Sequence, residues 1–161
     1  MLPSSFTRET KQFLLLGKLL VKRHPELATE LMQEVTEDEP QETDLSKIES
    51  YFQSFCEQMN IDPHEYKGGV KKRSKTHIRR LFVSVMIHIY QPQSFRQPTN
   101  QIIITYGFNR TISQVLGLNE AYMCRVVRDA IGVEKIYQDY REQVDEIRRT
   151  LTTQIQDHEV A

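Results

Sequence analysis

The chain has no tryptophan, only two cysteines, and just six glycines and six prolines in 161 residues. Cys56 and Cys124 are too few for a disulfide framework or a zinc quartet, and neither sits in a CxxC or beside paired histidines. Both are read as reduced thiols within helices. No apolar run approaches the roughly 18 residues that span a bilayer, so no membrane partner is expected. The N-terminal "MLPSSFTRETKQFLLLGKLLVKRHPE" has charges on both sides of a short apolar stretch and no small-residue cleavage site. No signal peptide is read, and the cytoplasm is the expected compartment. His24, His64, His77, His88 and His158 show no HxxxH or HExxH spacing, so no metal site is expected. His77 and His88 are expected at the surface of a helix. The single Gly-Lys pair, Gly17-Lys18, lacks the earlier glycine of a phosphate-cradling loop and is followed by Leu19. With no nucleophile beside a base either, neither an enzyme nor a cofactor is expected.

One further absence is local. Between Glu65 and Glu120 there is no acidic residue, yet the interval holds nine basic ones, seven of them in "KGGVKKRSKTHIRR". Residues 1–64 carry 6 Lys and Arg against 12 Asp and Glu, whereas residues 65–161 carry 15 against 10. The formal charge of -1 therefore conceals an acidic part joined to one that faces a polyanion.

What is present is helical periodicity. Phe13, Leu16, Leu19 and Leu20 predict a helix over about 6–22, and Pro25 opens a second, with Leu27, Leu31 and Val35 four residues apart. These form an expected helical hairpin, followed by the acidic linker "TEDEPQETD"; residues 1–44 are read as one part and 45–161 as another. Ser46 and Glu49 have the spacing of a capping box before the apolar face of Ile48, Tyr51, Phe52, Phe55, Cys56 and Met59. Asp62-Pro63 predicts a short helical turn ending near Gly68-Gly69. Thr76 is expected to cap a strong helix bearing Ile78, Leu81, Phe82, Val85, Met86, Ile89 and Tyr90, stopping at Pro92. "QPQSFRQPTN" reads as a polar loop and "IIITYGF" as an extended segment.

From Thr111 to Ile131 the pattern fits two helices meeting at Gly117. Ile112, Ser113, Leu116, Leu118, Met123 and Val126 fill the anchor offsets of a bihelical DNA-binding unit, and Asn119 is placed to cap the second helix before Gly132. A single helix would carry Gly117 internally at a cost of roughly 1 kcal/mol. With Tyr122, Val127 and Ala130 facing or flanking the core, the other face offers Asn119, Glu120, Ala121, Cys124, Arg125 and Arg128. Arg125 suits a guanine edge and Arg128 a phosphate. Together with Lys71, Lys72, Arg73, Ser74, Lys75, Arg79 and Arg80 of the basic loop, these are the candidate contacts to double-stranded DNA.

This order of parts resembles the C-terminal DNA-binding domain of the bacterial replication initiator DnaA, in the helix-turn-helix group that also holds the Trp repressor. The similarity runs from about 45 to 151: "IESYFQSFCEQMNIDPHEY" resembles the family's entry helices and "KKRSKTHIRRLFVSVMIHIY" its basic loop and long helix. "TISQVLGL" and "NEAYMCRVVRDAI" resemble its two motif helices. The resemblance implies an all-α helix-turn-helix fold in which Arg73, Ser74, Lys75 and Arg79 face a minor groove beside the site of the recognition helix. The family's glycine-rich signature is replaced by Glu120 to Val126, with Cys124 at its base-contacting histidine, and residues 91–110 exceed its connection. The resemblance therefore implies architecture and duplex binding, as a regulator or a replication or mobile-element accessory factor, and not that family's own target.

Val133, Ile136, Tyr137, Tyr140, Val144, Ile147 and Leu151 predict a last amphipathic helix. It admits two readings: packing back on the same core, or a homodimer through residues 133–155 that spaces two recognition helices one DNA turn apart. The N-terminal hairpin, by its charge, is a candidate surface for a protein partner. The rival reading of the whole chain is a helical interaction module whose basic loop docks on an acidic protein. RNA is a third reading by charge, without the aromatic stacking platform that would favour it.

Overall fold

The computed structural model describes residues 8–37, 39–68, 73–98, 102 and 104–160, with side chains for all of these except 8–9, 34–37, 73–74 and 154–160. Among the described residues there are eight α-helices, two short 3-10 turns and no strand, which is the expected all-α class. Chain contacts divide the protein into two units, Met1–Glu39 and Pro40–Ala161.

The first unit holds α1 (Arg8–Arg23) and α2 (Pro25–Glu37). His24 joins them: its amide donates to Leu20 O at 2.8 Å and its carbonyl accepts from Ala28 N at 2.9 Å. Pro25 tolerates the first helical position because an N–H there would have no intrahelical acceptor. Among the described residues of this unit, only Ala28 is buried.

The second unit is built around a central helix. It contains α3 (Ile48–Gln58), α4 (Pro63–Tyr66), α5 (Arg73–Tyr90), α6 (Phe108–Leu116), α7 (Glu120–Ile136) and α8 (Gln138–Val160). Helix α5 packs on α3, α7 and α8 at once, so its expected apolar face is only part of what is covered. Every residue from Leu81 to Ile87 is buried, including Val83, Ser84 and Ile87, which lie off that face. Ser84 is tolerated because its hydroxyl lies 3.1 Å from the hydroxyl of Tyr140, a phenol that burial pushes up to about 12. Phe82 meets Phe52 edge-on at 5.1 Å and Phe55 at 5.3 Å between ring centroids. Each such ring contributes about 1.5–3 kcal/mol on burial. Gln41 N and Glu42 N both donate to Ile89 O, at 2.8 and 3.3 Å, which fastens the end of the acidic linker to this unit.

Several local expectations change. Ser46 and Glu49 form no capping box, because a 3-10 turn at Leu45–Lys47 delays α3 and Asp44 takes the cap by accepting from Ser46 N at 3.0 Å. Glu49 instead accepts from Lys67 Nζ at 2.9 Å and Gln53 Nε2 at 3.1 Å. Asp62 does cap α4, accepting from His64 N at 2.9 Å. Helix α5 starts at Arg73 and not after Thr76, as the good helix formers Arg and Lys allow. "QPQSFRQPTN" contains a 3-10 turn at Pro92–Phe95. The described part of "IIITYGF" has no strand ladder: Thr105 N donates to Gln91 Oε1, Gly107 is left-handed, and Phe108 already opens α6.

The two ends of the last predicted boundary also move. Helix α7 runs through Gly132 to Ile136, held by buried Ala130, Ile131 and Glu134 on either side, and the chain turns only at Tyr137, with φ -107 and ψ 115. In α8, Tyr140, Val144, Ile147 and Leu151 are all buried in the unit's own core. Of the apolar face offered for a homodimer through 133–155, these four residues are covered from within, whereas Ile136 and Tyr137 are 73% and 55% exposed. His77 is exposed, with its ring 6.1 Å from that of Tyr140. His88 is not the expected surface histidine: its ring stacks on Phe95 at 4.1 Å and its Nε2 is hydrogen-bonded to buried Glu134. Polar character at 88 marks a part-buried hydrogen-bonded pair between α5 and α7, in which Glu134 Oε2 is left buried without a partner.

Candidate nucleic-acid interface

Helices α6 and α7 meet at a corner whose chemistry is local. Gly117 adopts φ 61 and ψ 38, a left-handed conformation that most side chains strain. The turn ties off α6 through Gly117 N to Gln114 O at 3.1 Å and Leu118 N to Ser113 O at 2.8 Å. Two residues on, Asn119 is extended and its Oδ1 accepts from Ala121 N at 2.8 Å, starting α7. The anchors expected from spacing, Ile112, Ser113, Leu116, Met123 and Val126, are buried, and Leu118 is half-buried.

The outward face of α7 is open. Asn119, Glu120, Ala121, Cys124, Arg125 and Arg128 are all exposed, as is Tyr122 on the flank. Cys124 Sγ accepts from Asn109 Nδ2 at 3.3 Å, which links the outer sides of α6 and α7. Both cysteines are free thiols, and they differ in kind: Cys56 is buried, and burial pushes its thiol up to about 11.

The base of the basic loop is fixed to this corner. Gly68 N donates to Leu116 O at 2.8 Å, and a Cβ at Gly117 would stand 3.1 Å from Gly68 N. Two main chains therefore touch where a side chain at Gly117 would intrude, while Gly68 is held to glycine by its own φ of 86. On the other side Arg79 holds the loop, donating through Nε to Tyr66 O at 2.9 Å and through Nη2 to Gly68 O. Arg79 is 5% exposed, and burial lowers its pKa from the usual value. Arg79 is thereby corrected from a groove contact to a brace, since its donors face carbonyls and not solvent.

The remaining loop positions divide. Lys75 donates to Glu65 O at 2.5 Å and lies over the Tyr66 ring at 5.6 Å, half-buried on α4. Arg80 is half-buried, and its charge favours the Tyr140 phenolate against the larger effect of burial. Lys71 and Lys72, and the side chains of Arg73 and Ser74, lie outside the described residues. Lys67 pairs with Glu49 at 2.9 Å and sits 5.6 Å above the Phe52 ring; this hydrogen bond chiefly holds the Glu49 carboxyl below its usual range.

Sequence reasoning missed three participants. Gly68 carries no side chain to suggest a contact, and Asn109 precedes the stretch assigned to the corner. Arg110 is exposed on a cleft of about 570 Å³ beside the start of α6, with Tyr106 and Gln114 on its walls and Glu120 on its rim. Its membership of the acid-free interval was the available signal. Among the described residues no cluster of three or more His, Cys, Asp or Glu side chains is arranged to hold a metal, and no helix is long and apolar enough to cross a membrane. No protein-family model, no curated protein and no solved structure matches the chain.

Proposed function

We propose that the protein binds double-stranded DNA sequence-specifically, with α6 and α7 acting as a helix-turn-helix of the DnaA C-terminal and Trp repressor type and the basic segment at 67–80, which runs into the first turns of α5, gripping beside it. The observation that carries this reading is the join between Gly68 and Leu116, because it anchors an acid-free cationic arm at the corner of a bent helix pair. Arg125 on the open face of α7 is the base reader, through two hydrogen bonds to a guanine edge. Arg128, Lys71, Lys72 and Arg73 neutralise phosphates, Asn119 and Ala121 lie at the base-facing start of α7, and Cys124 offers a small apolar contact. Arg79 and Lys75 position the arm. In the cell this describes a regulator, or an accessory factor of replication or of a mobile element.

The test is a selection of bound duplexes from a random pool, followed by affinity measurements over a salt series. Affinity should fall steeply with salt, and Arg128→Ala should flatten the log–log slope by about 0.9, because one phosphate is no longer neutralised. Arg125→Ala should cost about 1–3 kcal/mol and relax selection at one base pair. Bound duplex should also shield Cys124 from alkylation while Cys56 stays unreactive throughout. Absence of any complex at low salt would overturn the proposal, and retention of an acidic protein in its place would favour the interaction-module reading.

A further inference from the structure

We propose that the cleft at the start of α6 seats the sugar-phosphate backbone of the duplex that α7 reads, with Arg110 neutralising a phosphate and Tyr106 lying against the adjoining sugar. This rests on the DNA-binding reading above and adds to it a contact from outside both the corner and the basic segment. The cleft, of about 570 Å³, is lined among others by Tyr106, Arg110, Gln114 and Glu120, and it falls in the size range that encloses small ligands, which leaves room for one phosphodiester and its sugar. Tyr106 is 94% exposed, so its ring serves no core and is open to a ligand. The turn that presents it is nevertheless fixed. Thr105 N donates to Oε1 of buried Gln91 at 3.0 Å, Phe108 N donates to Thr105 O at 3.1 Å, and Gly107 O accepts from both N and Oγ1 of Thr111 at 2.9 Å. A Cβ at Gly107 would stand 3.2 Å from Leu45 Cδ1, so this turn lies against the 3-10 turn that precedes α3. Arg110 and Gln114, four residues apart, share one strip of α6.

Placement and charge select the occupant. Asn109 Nδ2 donates to Cys124 Sγ at 3.3 Å, so the first turn of α6 stands beside the outward face of α7. A duplex whose major groove holds Arg125 brings a backbone strand to that same side. Between Glu65 and Glu120 the chain has no acidic residue, so the one carboxylate lining the cleft is Glu120, at the first position of α7. A phosphate is therefore drawn to the Arg110 wall and kept from the Glu120 rim. An acidic peptide suits Arg110 equally, but it lacks the regular row of phosphates that reaches Arg128 from the same strand. Tyr106 and Arg110 also close the 91–110 segment by which this chain exceeds the connection of the family it resembles, so the contact belongs to this chain and not to the resemblance.

Phosphate-ethylation interference on the selected duplex, with affinity read over a salt series, tests the proposal. Arg110→Ala should lower affinity about tenfold at about 0.1 M salt and flatten the log–log slope by about 0.9. It should also remove interference at a phosphate that Arg128→Ala leaves in place, while the base sequence selected stays the same. Arg110→Lys should restore the slope, because a point charge suffices for a phosphate. Tyr106→Ala should weaken binding by less and leave the slope unchanged, since the ring carries no charge. Both side chains are exposed, so thermal unfolding of the variants should match that of the unaltered chain. A duplex complex in which Arg110→Ala keeps both the slope and the interference pattern overturns this proposal alone. Failure of the unaltered chain to bind any duplex at low salt removes the DNA reading and this contact with it. Retention of an acidic protein that Arg110→Ala abolishes also overturns the proposal, by assigning the cleft to a peptide.

Discussion

The two units use the same kind of helix to opposite ends. In the second unit, apolar positions of α3, α5, α6, α7 and α8 close on one another, and Phe52, Phe55, Phe82 and Phe108 are all buried. In the first, α1 and α2 are as regular and as patterned, yet only Ala28 among the described residues is withdrawn from solvent. The difference teaches that periodicity reports a face in need of cover and says nothing of what covers it. For α8, a similar pattern left two candidates open; neighbours in the same chain cover Tyr140, Val144, Ile147 and Leu151, while Ile136 and Tyr137 before them stay exposed.

The sharpest way to break this comparison is to remove one ring from each unit. Phe82→Ala should destabilise the second unit by about 3–5 kcal/mol in urea unfolding, whereas Phe13→Ala should leave that transition within about 0.5 kcal/mol. Equal losses would mean that the units share a core. Next in size is Arg79→Met, which keeps the packing of the stem but orphans Tyr66 O and Gly68 O; about 2–3 kcal/mol should be lost, and the loop should exchange its amides faster. Two glycines give a smaller and opposite pair. Gly117→Ala should cost about 1–2 kcal/mol from its left-handed backbone alone, while Gly132→Ala, in open space within α7, should add about 0.5–1 kcal/mol to the melting free energy. The smallest effect belongs to Glu49. Its folded pKa is lowered, so its stabilisation is complete above the unfolded value and is lost as pH falls through the folded one. Glu49→Gln should therefore lower the neutral plateau slightly, leave stability below the folded pKa nearly unchanged, and so flatten the acid limb of a stability profile.

Much of the second unit was legible because local chemistry and burial agreed. Gly117 followed two residues later by Asn119 reads as a corner, since one residue supplies the conformation and the next a cap. Asp62 before Pro63 reads the same way. Gly132 misled because a glycine alone does not stop a helix: Val133 and Glu134 follow it, neither caps, and burial on both sides carries α7 onward. Ser46 and Asp44 are equally able to cap, and the choice was made by a 3-10 turn with no distinctive sequence. The basic stretch was legible as charge but not as direction. A long cationic side chain reaches carbonyls, a ring or solvent from the same position, and tertiary structure turned Arg79 inward and laid Lys75 over Tyr66.

The meeting of Gly68 with the α6–α7 corner is made of main chain on both sides. Because no side chain takes part in that particular hydrogen bond, substitutions on the outward residues of α7 can accumulate without loosening it. A lineage of such proteins is then free to rewrite what the helix touches while the frame that presents it is inherited unaltered, and change at position 68 or 117 should be the rare event.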